Sequence, residues 1–393
     1  MPRSLARRVT YLAPNAFTAM TMLAQQHGAV NLGQGFPDFD PPAFALEAAQ
    51  EAFRTGWQQY APPRGWPRLL HAIAATLESN LGYLPDAMDE ITVTVGATQA
   101  LHAALQTILE PGHEVIILEP RFDSYSPQVL LCDGVPVRVA LEVVDGQWTL
   151  DLEKVRAAIT PGTRAIILNT PHNPTGKVFT RAELEGIASL ALEHDLWIIA
   201  DEVYDRLVFD GAHVSVASLP GMRERTITIG SAGKIFSVTG WRVGWAVAPA
   251  AFSAALRAGH QWIPFCAAPP VQEAVAVALE VSRTNGYYAD LNARFKAARD
   301  YFVPVLERAG FKPLVPEGGY FVIADTRGLT DDVLGFAQRL VTEVGVAAMP
   351  VPLFHDADTR AGALPALRFA FCKRLETLEA AAVKLEGIAR IAG

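Results

Sequence analysis

Through the middle of the chain, short apolar runs alternate with amphipathic helical patterns. ITVTV (91–95) reads as a buried strand, and Ala97 to Leu109 follows with helical spacing. Further apolar runs occur in PGHEVIILEP, VPVRVAL, TRAIILNT, LWIIADE, RTITIGS and WRVGWAVA, with a helix predicted over Arg181–Glu193. Strands apolar on both faces and separated by helices predict a mainly parallel sheet covered on both sides, joined by right-handed crossovers. Near Val281 the character changes. A long helical stretch runs from about Tyr287 to Ala309, followed by GYFVIAD, a helix near Asp331–Val344, VGVAAMP and LPALRFAFC. The last run alternates, with Leu367, Phe369 and Phe371 on one face and Arg368 and Ala370 on the other, which predicts an α+β layer with one covered face.

The expected organisation is therefore α/β. Residues 1–40 form a Pro/Gly-rich segment packing on the second domain, 41–282 a large sheet domain and 283–393 a smaller α+β domain. Composition narrows the function. Half of the 393 residues are hydrophobic, 19% are charged and the formal net charge is -8, which fits a globular protein. No Lys/Arg block is present to neutralise phosphates, so nucleic acid is not an expected partner. Cys132, Cys266 and Cys372 are widely spaced, and the nine histidines form no HExxH pattern, so no metal site is expected. The cysteine usage fits a reducing cytoplasm. The basic start lacks the apolar stretch of a secretory signal, and no apolar run reaches the roughly 18 residues of a membrane span.

Four places hold candidate chemistry. In VTVGATQAL, Gly96, Ala97 and Thr98 lie where a strand turns into a helix, and free N–H groups there favour an anion. In SAGKIFSVTGWRVGW, Lys234 follows a strand end. A Walker loop would need glycine at 228 and Ser/Thr at 235, where this chain has Thr228 and Ile235. A lysine at an interior strand end can act as nucleophile or base, and Ser231 and Arg242 offer a hydroxyl and a guanidinium to a phosphate. In LWIIADEVYD, Asp201 closes an apolar strand and needs a cationic partner, for which a protonated pyridine nitrogen would serve; Tyr204 follows three residues on. In LNTPHNPTG, Asn173 lies between two prolines with its amide available. Taken singly, each has a plainer reading: a βα turn, a surface lysine, a helix cap, an Asx-held turn. Together they fall at the C-terminal ends of predicted parallel strands, where open α/β sheets bind ligands.

NLGQGFPDF, QYAPPRG, NTPHNPTGKVF, DEVYD and SAGKIFSVTGWRVGW stand in an order and spacing that resembles the class I aminotransferases of the fold-type-I pyridoxal 5'-phosphate (PLP) enzymes. The likeness runs over nearly the whole chain and is strongest to the kynurenine, glutamine–phenylpyruvate and methionine aminotransferase subgroup. It implies that Lys234 binds PLP covalently and then moves the substrate proton. Asp201 would keep the pyridine nitrogen protonated, Asn173 and Tyr204 would hold the phenolic oxygen, and Phe122 would stack on the ring. Gly96, Ala97, Thr98, Ser231 and Arg242 would hold the phosphate, joined by Tyr60 from a neighbouring subunit of a homodimer. Arg368 would bind the substrate carboxylate near the Gly35 backbone. Phe17, Phe265 and Phe354 would form an aromatic, neutral side-chain pocket, with His355 leaving room for a polar group. Arg242, Cys266 and Phe17 stand where some relatives have lysine, histidine and tryptophan. The implied reaction moves an amino group from glutamine, methionine, an aromatic amino acid or kynurenine to a 2-oxo acid. Two alternatives stand beside it: β-elimination from a cysteine conjugate at the same site, and a sensing module without turnover, against which Lys234 and Arg368 argue.

Overall fold

The computed structural model describes residues 6–10 and 16–392; of the N-terminal segment, residues 1–5 and 11–15 lie outside the described residues. Its large sheet has seven strands: β1 (Ile91–Thr94), β2 (Glu114–Glu119), β3 (Val135–Ala140), β4 (Thr163–Asn169), β5 (Trp197–Asp201), β6 (Thr226–Ser231) and β7 (Gly244–Val247). Their spatial order is β1-β7-β6-β5-β4-β2-β3. All neighbours are parallel except β7, which runs antiparallel to both β1 and β6. The central strands carry the signature of burial on both faces. Val115, Ile116, Ile117, Ile166, Ile198 and Ile199 are all sequestered, and each side chain of this kind contributes about 1.5–3 kcal/mol of transfer free energy. Helix α1 (Ala97–Ile108) lays Ala100, Leu101, Ala104 and Leu105 on one face of the sheet, at helical spacing. The helix Arg181–Glu193 begins where its sequence says it should, because Thr180 and Glu183 close a reciprocal capping box.

The C-terminal region builds a four-stranded antiparallel sheet. Its strands β8 (Lys312–Leu314), β9 (Phe321–Asp325), β10 (Met349–Pro350) and β11 (Ala366–Ala370) lie in the order β8-β9-β11-β10. Helix α2 (Tyr287–Arg308) covers it through Phe295, Phe302 and Leu306, in one cluster with Phe369 and Phe371. Val30–Asn31 pairs in parallel with Val346–Ala347, which ties the N-terminal segment to this layer.

Two details differ from the sequence reading. The helix expected near Asp331–Val344 is an α-helix only over Val333–Arg339 and continues as a π-helix over Leu340–Val344. The alternation in LPALRFAFC predicted one covered face, yet every residue of β11 is buried, Arg368 included at 2% exposure. The face carrying Arg368 is covered by the N-terminal segment and by aromatic rings, contacts that period-2 patterning does not report.

Candidate active site

The carboxyl ends of β4, β5 and β6 and the turn after β1 converge on one region. The antiparallel β7 assembles its anion-binding end. Gly244 sits in register between Thr94 and Ser231, so it brings the β1–α1 turn beside the end of β6. A Cβ on Gly244 would lie 2.5 Å from the Ala97 nitrogen, and one on Gly96 would lie 2.4 Å from the Arg242 guanidinium. Gly96 adopts φ +79° as the residue that caps α1, a conformation glycine takes without strain. The result is a cradle around Gly96, whose own N–H is taken by the Thr94 carbonyl at 2.8 Å: the helix N–H groups of Ala97 and Thr98, the Ser231 hydroxyl and the Arg242 guanidinium. It is rich in donors, and Arg242 has no ion-pair partner among the described residues. Such a set suits a phosphate.

Across the sheet, Asn169 and Asp201 are register partners at the ends of β4 and β5. The Asp201 carboxylate accepts from the Tyr125 hydroxyl at 2.7 Å and from the Val203 N–H at 3.4 Å. No cation stands within ion-pair distance of it among the described residues. Desolvation accordingly raises its pKa, opposed by the Tyr125 and Val203 hydrogen bonds and by the more distant charge of Lys234. Burial first, then Asp201, pushes the Tyr125 phenol well above the ordinary range, so Tyr125 keeps the proton it donates. Asn169 uses both ends of its amide: Nδ2 donates to the Asp201 carbonyl at 2.8 Å, and Oδ1 accepts from the Asn173 N–H at 2.6 Å. It therefore sets the spacing of the two functional loops.

Lys234 lies in the short helix Ala232–Ile235 directly after β6. Its Nζ donates to the Tyr320 hydroxyl at 3.1 Å and stands 5.7 Å from the Tyr204 ring centroid. Tyr204 is buried, with its ring edge-on to Tyr320 at 5.0 Å. Phe122 packs edge-on to Tyr125 at 5.6 Å.

Arg368 projects from β11 into the same region. It donates to Asn173 Oδ1 at 2.9 Å and to the Gly33 carbonyl at 2.8 Å, while its buried Nε has no partner. The guanidinium lies 3.9 Å from the Phe321 ring centroid, 4.6 Å from Phe354 and 5.2 Å from Phe17. Burial lowers its pKa to about 10, an effect that Tyr204, Asp123 and Tyr320 oppose. A desolvated guanidinium fork with no carboxylate in ion-pair contact among the described residues is a receptor for one. Gly35 stands close by: a Cβ there would fall 2.2 Å from the Phe321 ring.

The structure thus gathers Gly96, Ala97, Thr98, Ser231 and Arg242 at one end, and Asp201, Asn173, Tyr204, Lys234, Arg368, Gly35, Phe17 and Phe354 at the other. It does not bring Tyr60 and Phe265 into these contacts. Tyr60 is 77% exposed, Phe265 is 44% exposed, and the two rings pair with each other at 5.0 Å. Tyr125, Asn169, Tyr320 and Phe321 escaped the sequence reading. Their signals were a tyrosine three residues after Phe122, a polar residue closing the apolar run AIILN, and the aromatic pair in GYFVIAD.

A family model described as "Aminotransferase class I and II" matches residues 27–385. The chain belongs to the class I and II aminotransferases. Among relatives of this aminotransferase, the probable N-succinyldiaminopimelate aminotransferase DapC of Mycobacterium tuberculosis is 44% identical, covering 97% of this chain and 98% of that protein. Human kynurenine–oxoglutarate transaminase 1 is 39% identical over 97% of both. Among solved structures, the M. tuberculosis N-succinyldiaminopimelate aminotransferase superposes with TM-score 0.94 at 43% identity, covering 98% of this chain and all of that one. Escherichia coli YbdL, described with a methionine aminotransferase function, superposes with TM-score 0.92 at 38% identity over 98% and 99% of the two chains. The fold is that of the fold-type-I PLP enzymes, and the aminotransferase is PLP-dependent. Its residues fit that cofactor on their own chemistry: a donor-rich cradle for a phosphate, a buried carboxylate with no ion-pair partner among the described residues for a ring cation, and a lysine at the end of β6. The kynurenine and methionine relatives agree with the subgroup read from the motifs, and the N-succinyldiaminopimelate relatives widen it.

Proposed function

We propose that this aminotransferase takes its amino group from an amino acid with an uncharged side chain, such as glutamine, methionine, an aromatic amino acid or kynurenine, and passes it to a 2-oxo acid. The observation that carries the reading is Arg368, a buried fork offered to a carboxylate and walled by Phe17, Phe321 and Phe354. The likeness to the M. tuberculosis DapC favours a second reading, N-succinyldiaminopimelate as donor. The relatives above are described as aminotransferases and transaminases, which supports transfer over β-elimination.

In this reading the cradle of Gly96, Ala97, Thr98, Ser231 and Arg242 holds the phosphate, Phe122 stacks on the ring, and Asn173 and Tyr204 hold the phenolic oxygen. Asp201 pairs with the ring nitrogen, and Tyr125 keeps the carboxylate aimed. When bound, PLP accepts the electron pair left as the substrate Cα–H bond breaks. Lys234 would anchor the cofactor and, as a free amine, would take up and deliver the substrate Cα proton. Arg368 and the backbone at Gly33–Gly35 fix the substrate carboxylate, so that the Cα proton faces Lys234.

The division at residues 40/41 and 282/283 is proposed with this function, as is a homodimer. Support for the latter is the exposed apolar set Phe53, Trp57, Tyr60, Trp262, Ile263 and Phe265, which a second copy would cover, delivering Tyr60 to the neighbouring phosphate cradle and Phe265 to the neighbouring side-chain pocket.

The test is a donor panel: glutamine, methionine, phenylalanine, kynurenine, aspartate and N-succinyldiaminopimelate, with release of each 2-oxo acid followed. A kcat/KM highest for one of the first four supports the first reading. Preference for the succinylated donor selects the second, and preference for aspartate rejects both.

Asp201→Asn separates two effects. A raised folded pKa makes the ionised carboxylate costlier in the folded than in the unfolded chain. Stability of the cofactor-free protein therefore falls as pH rises from the ordinary carboxylate range through the folded value. Asparagine lacks this dependence and can still accept from Tyr125. The expected outcome is a cofactor-free melting temperature at neutral pH no lower than the parent's, together with kcat reduced about 100- to 1,000-fold, the range for losing one preorganised electrostatic group. Melting curves and steady-state kinetics check both.

A further inference from the structure

Tyr320 has no place in the roles above, yet it makes the hydrogen bond that Lys234 Nζ donates, at 3.1 Å. Its own hydroxyl proton points elsewhere, to the Gly35 carbonyl at 2.9 Å. The phenol is fully buried, with the ring fixed edge-on to Tyr204 at 5.0 Å and tilted against Phe295 at 5.8 Å and Phe321 at 4.8 Å. Desolvation, and after it the neighbouring Tyr204 and Cys372, raise its pKa well above the ordinary range, so the hydroxyl stays protonated. With that proton committed to Gly35, only the oxygen lone pairs face the lysine. The hydroxyl is then an acceptor with one orientation, able to receive a hydrogen bond from the amine whether or not the amine carries an extra proton.

The link reaches further than one pair. Gly33 O accepts from Arg368, Gly35 O from Tyr320, and Phe36 O from Lys373. Residues 33–36 are therefore pinned by three side chains of the C-terminal layer, one at the substrate-carboxylate receptor and one touching the cofactor lysine. Gly35 is the point of closest approach, since the ring of Phe321 occupies the space a Cβ would need.

We propose that Tyr320 is the positioning residue for Lys234: it receives the lysine amine whenever the amine is not bonded to the cofactor, and through Gly35 it ties that position to residues 33–36 of the N-terminal segment. The proposal rests on the reading of Lys234 as the cofactor lysine. Over a full cycle Lys234 would leave the cofactor in the first half-reaction and return to it at the end of the second. A long flexible side chain held by one acceptor returns along one path, whereas a free one samples many rotamers.

The test is the rate at which cofactor-free protein captures PLP, followed by absorbance and by borohydride trapping, in the parent and in Tyr320→Phe, which deletes one oxygen. Capture is expected to slow about tenfold, the loss of one hydrogen bond to a charged or polar donor. Steady-state kcat falls by a similar factor, and KM for the amino donor changes less. A second pair isolates the route. In a Lys234→Ala background, the non-covalent affinity for PLP is expected to be the same with tyrosine or phenylalanine at 320. Unchanged capture in Tyr320→Phe overturns the proposal. So does an equal loss of PLP affinity in the Lys234→Ala background, since Tyr320 would then act on the cofactor directly. If Tyr320→Phe does not fold, fluorotyrosine at 320 keeps the shape, weakens the acceptor and gives the same reading. Failure of the parent itself to trap PLP on Lys234 would reject the lysine assignment and is distinguishable from failure of the Tyr320 variant alone.

Discussion

Lys234→Ala is expected to fold, to retain PLP without a covalent bond, and to lose about 1,000- to 10,000-fold in kcat, the upper part of the range for a positioned proton-transfer group. The reason is positional. The lysine follows β6 at the end of an apolar strand, and its described hydrogen bond is to Tyr320. The two buried lysines among the described residues are committed elsewhere: Lys177 donates to the Trp148 carbonyl and pairs with Glu183, and Lys373 donates to the Phe36 carbonyl. The histidine beside Asn173 is no substitute. His172 is buried with its pKa driven down to about 3 by desolvation and by Lys177, and its Nδ1 is engaged with Thr175. Retention of melting temperature with loss of 2-oxo acid release is the expected pair of results. A variant that keeps a tenth of the activity would mean another group moves the proton.

The second large effect is at Arg368. Replacement by leucine is expected to cost about 2–4 kcal/mol in transition-state binding, roughly 30- to 1,000-fold in kcat/KM. Most of it should appear in KM, because the carboxylate is held throughout the reaction. The protein itself should lose little stability. A desolvated guanidinium without an acidic partner in contact is already costly, as its depressed pKa of about 10 records, and leucine suits the rings of Phe17, Phe321 and Phe354. Arg368→Lys should recover only part of the loss, since an ammonium keeps the charge but not the planar fork. Kinetics with a donor amino acid and with the corresponding amine lacking the carboxylate settle the point: the ratio of the two collapses toward one in the leucine variant.

Much of this site was legible in the sequence because strand ends are. The apolar runs TRAIILN, LWIIAD and TITIGS place Asn173, Asp201 and Lys234 just beyond buried parallel strands, and the structure puts them at the ends of β4, β5 and β6. The helix over Arg181–Glu193 was readable in the same local way, and the structure shows its start held by the Thr180–Glu183 capping box. What stayed hidden depends on contacts between distant segments. Tyr320 meets Lys234 across 86 positions, and Arg368 meets Gly33 across 335. The burial of β11 on both faces has the same cause. Its alternating pattern describes a strand with one wet face, and only the N-terminal segment folding back over Arg368 makes it otherwise. The antiparallel course of β7 was equally unreadable, yet it is what carries Arg242 to Gly96.

The most direct measurement is to reduce the PLP-loaded protein with borohydride, digest it, and locate the pyridoxyl group by mass spectrometry. One modified peptide is expected, carrying the label on Lys234, with loss of that label when a donor amino acid is added before reduction. A label on another lysine, or none, would contradict it.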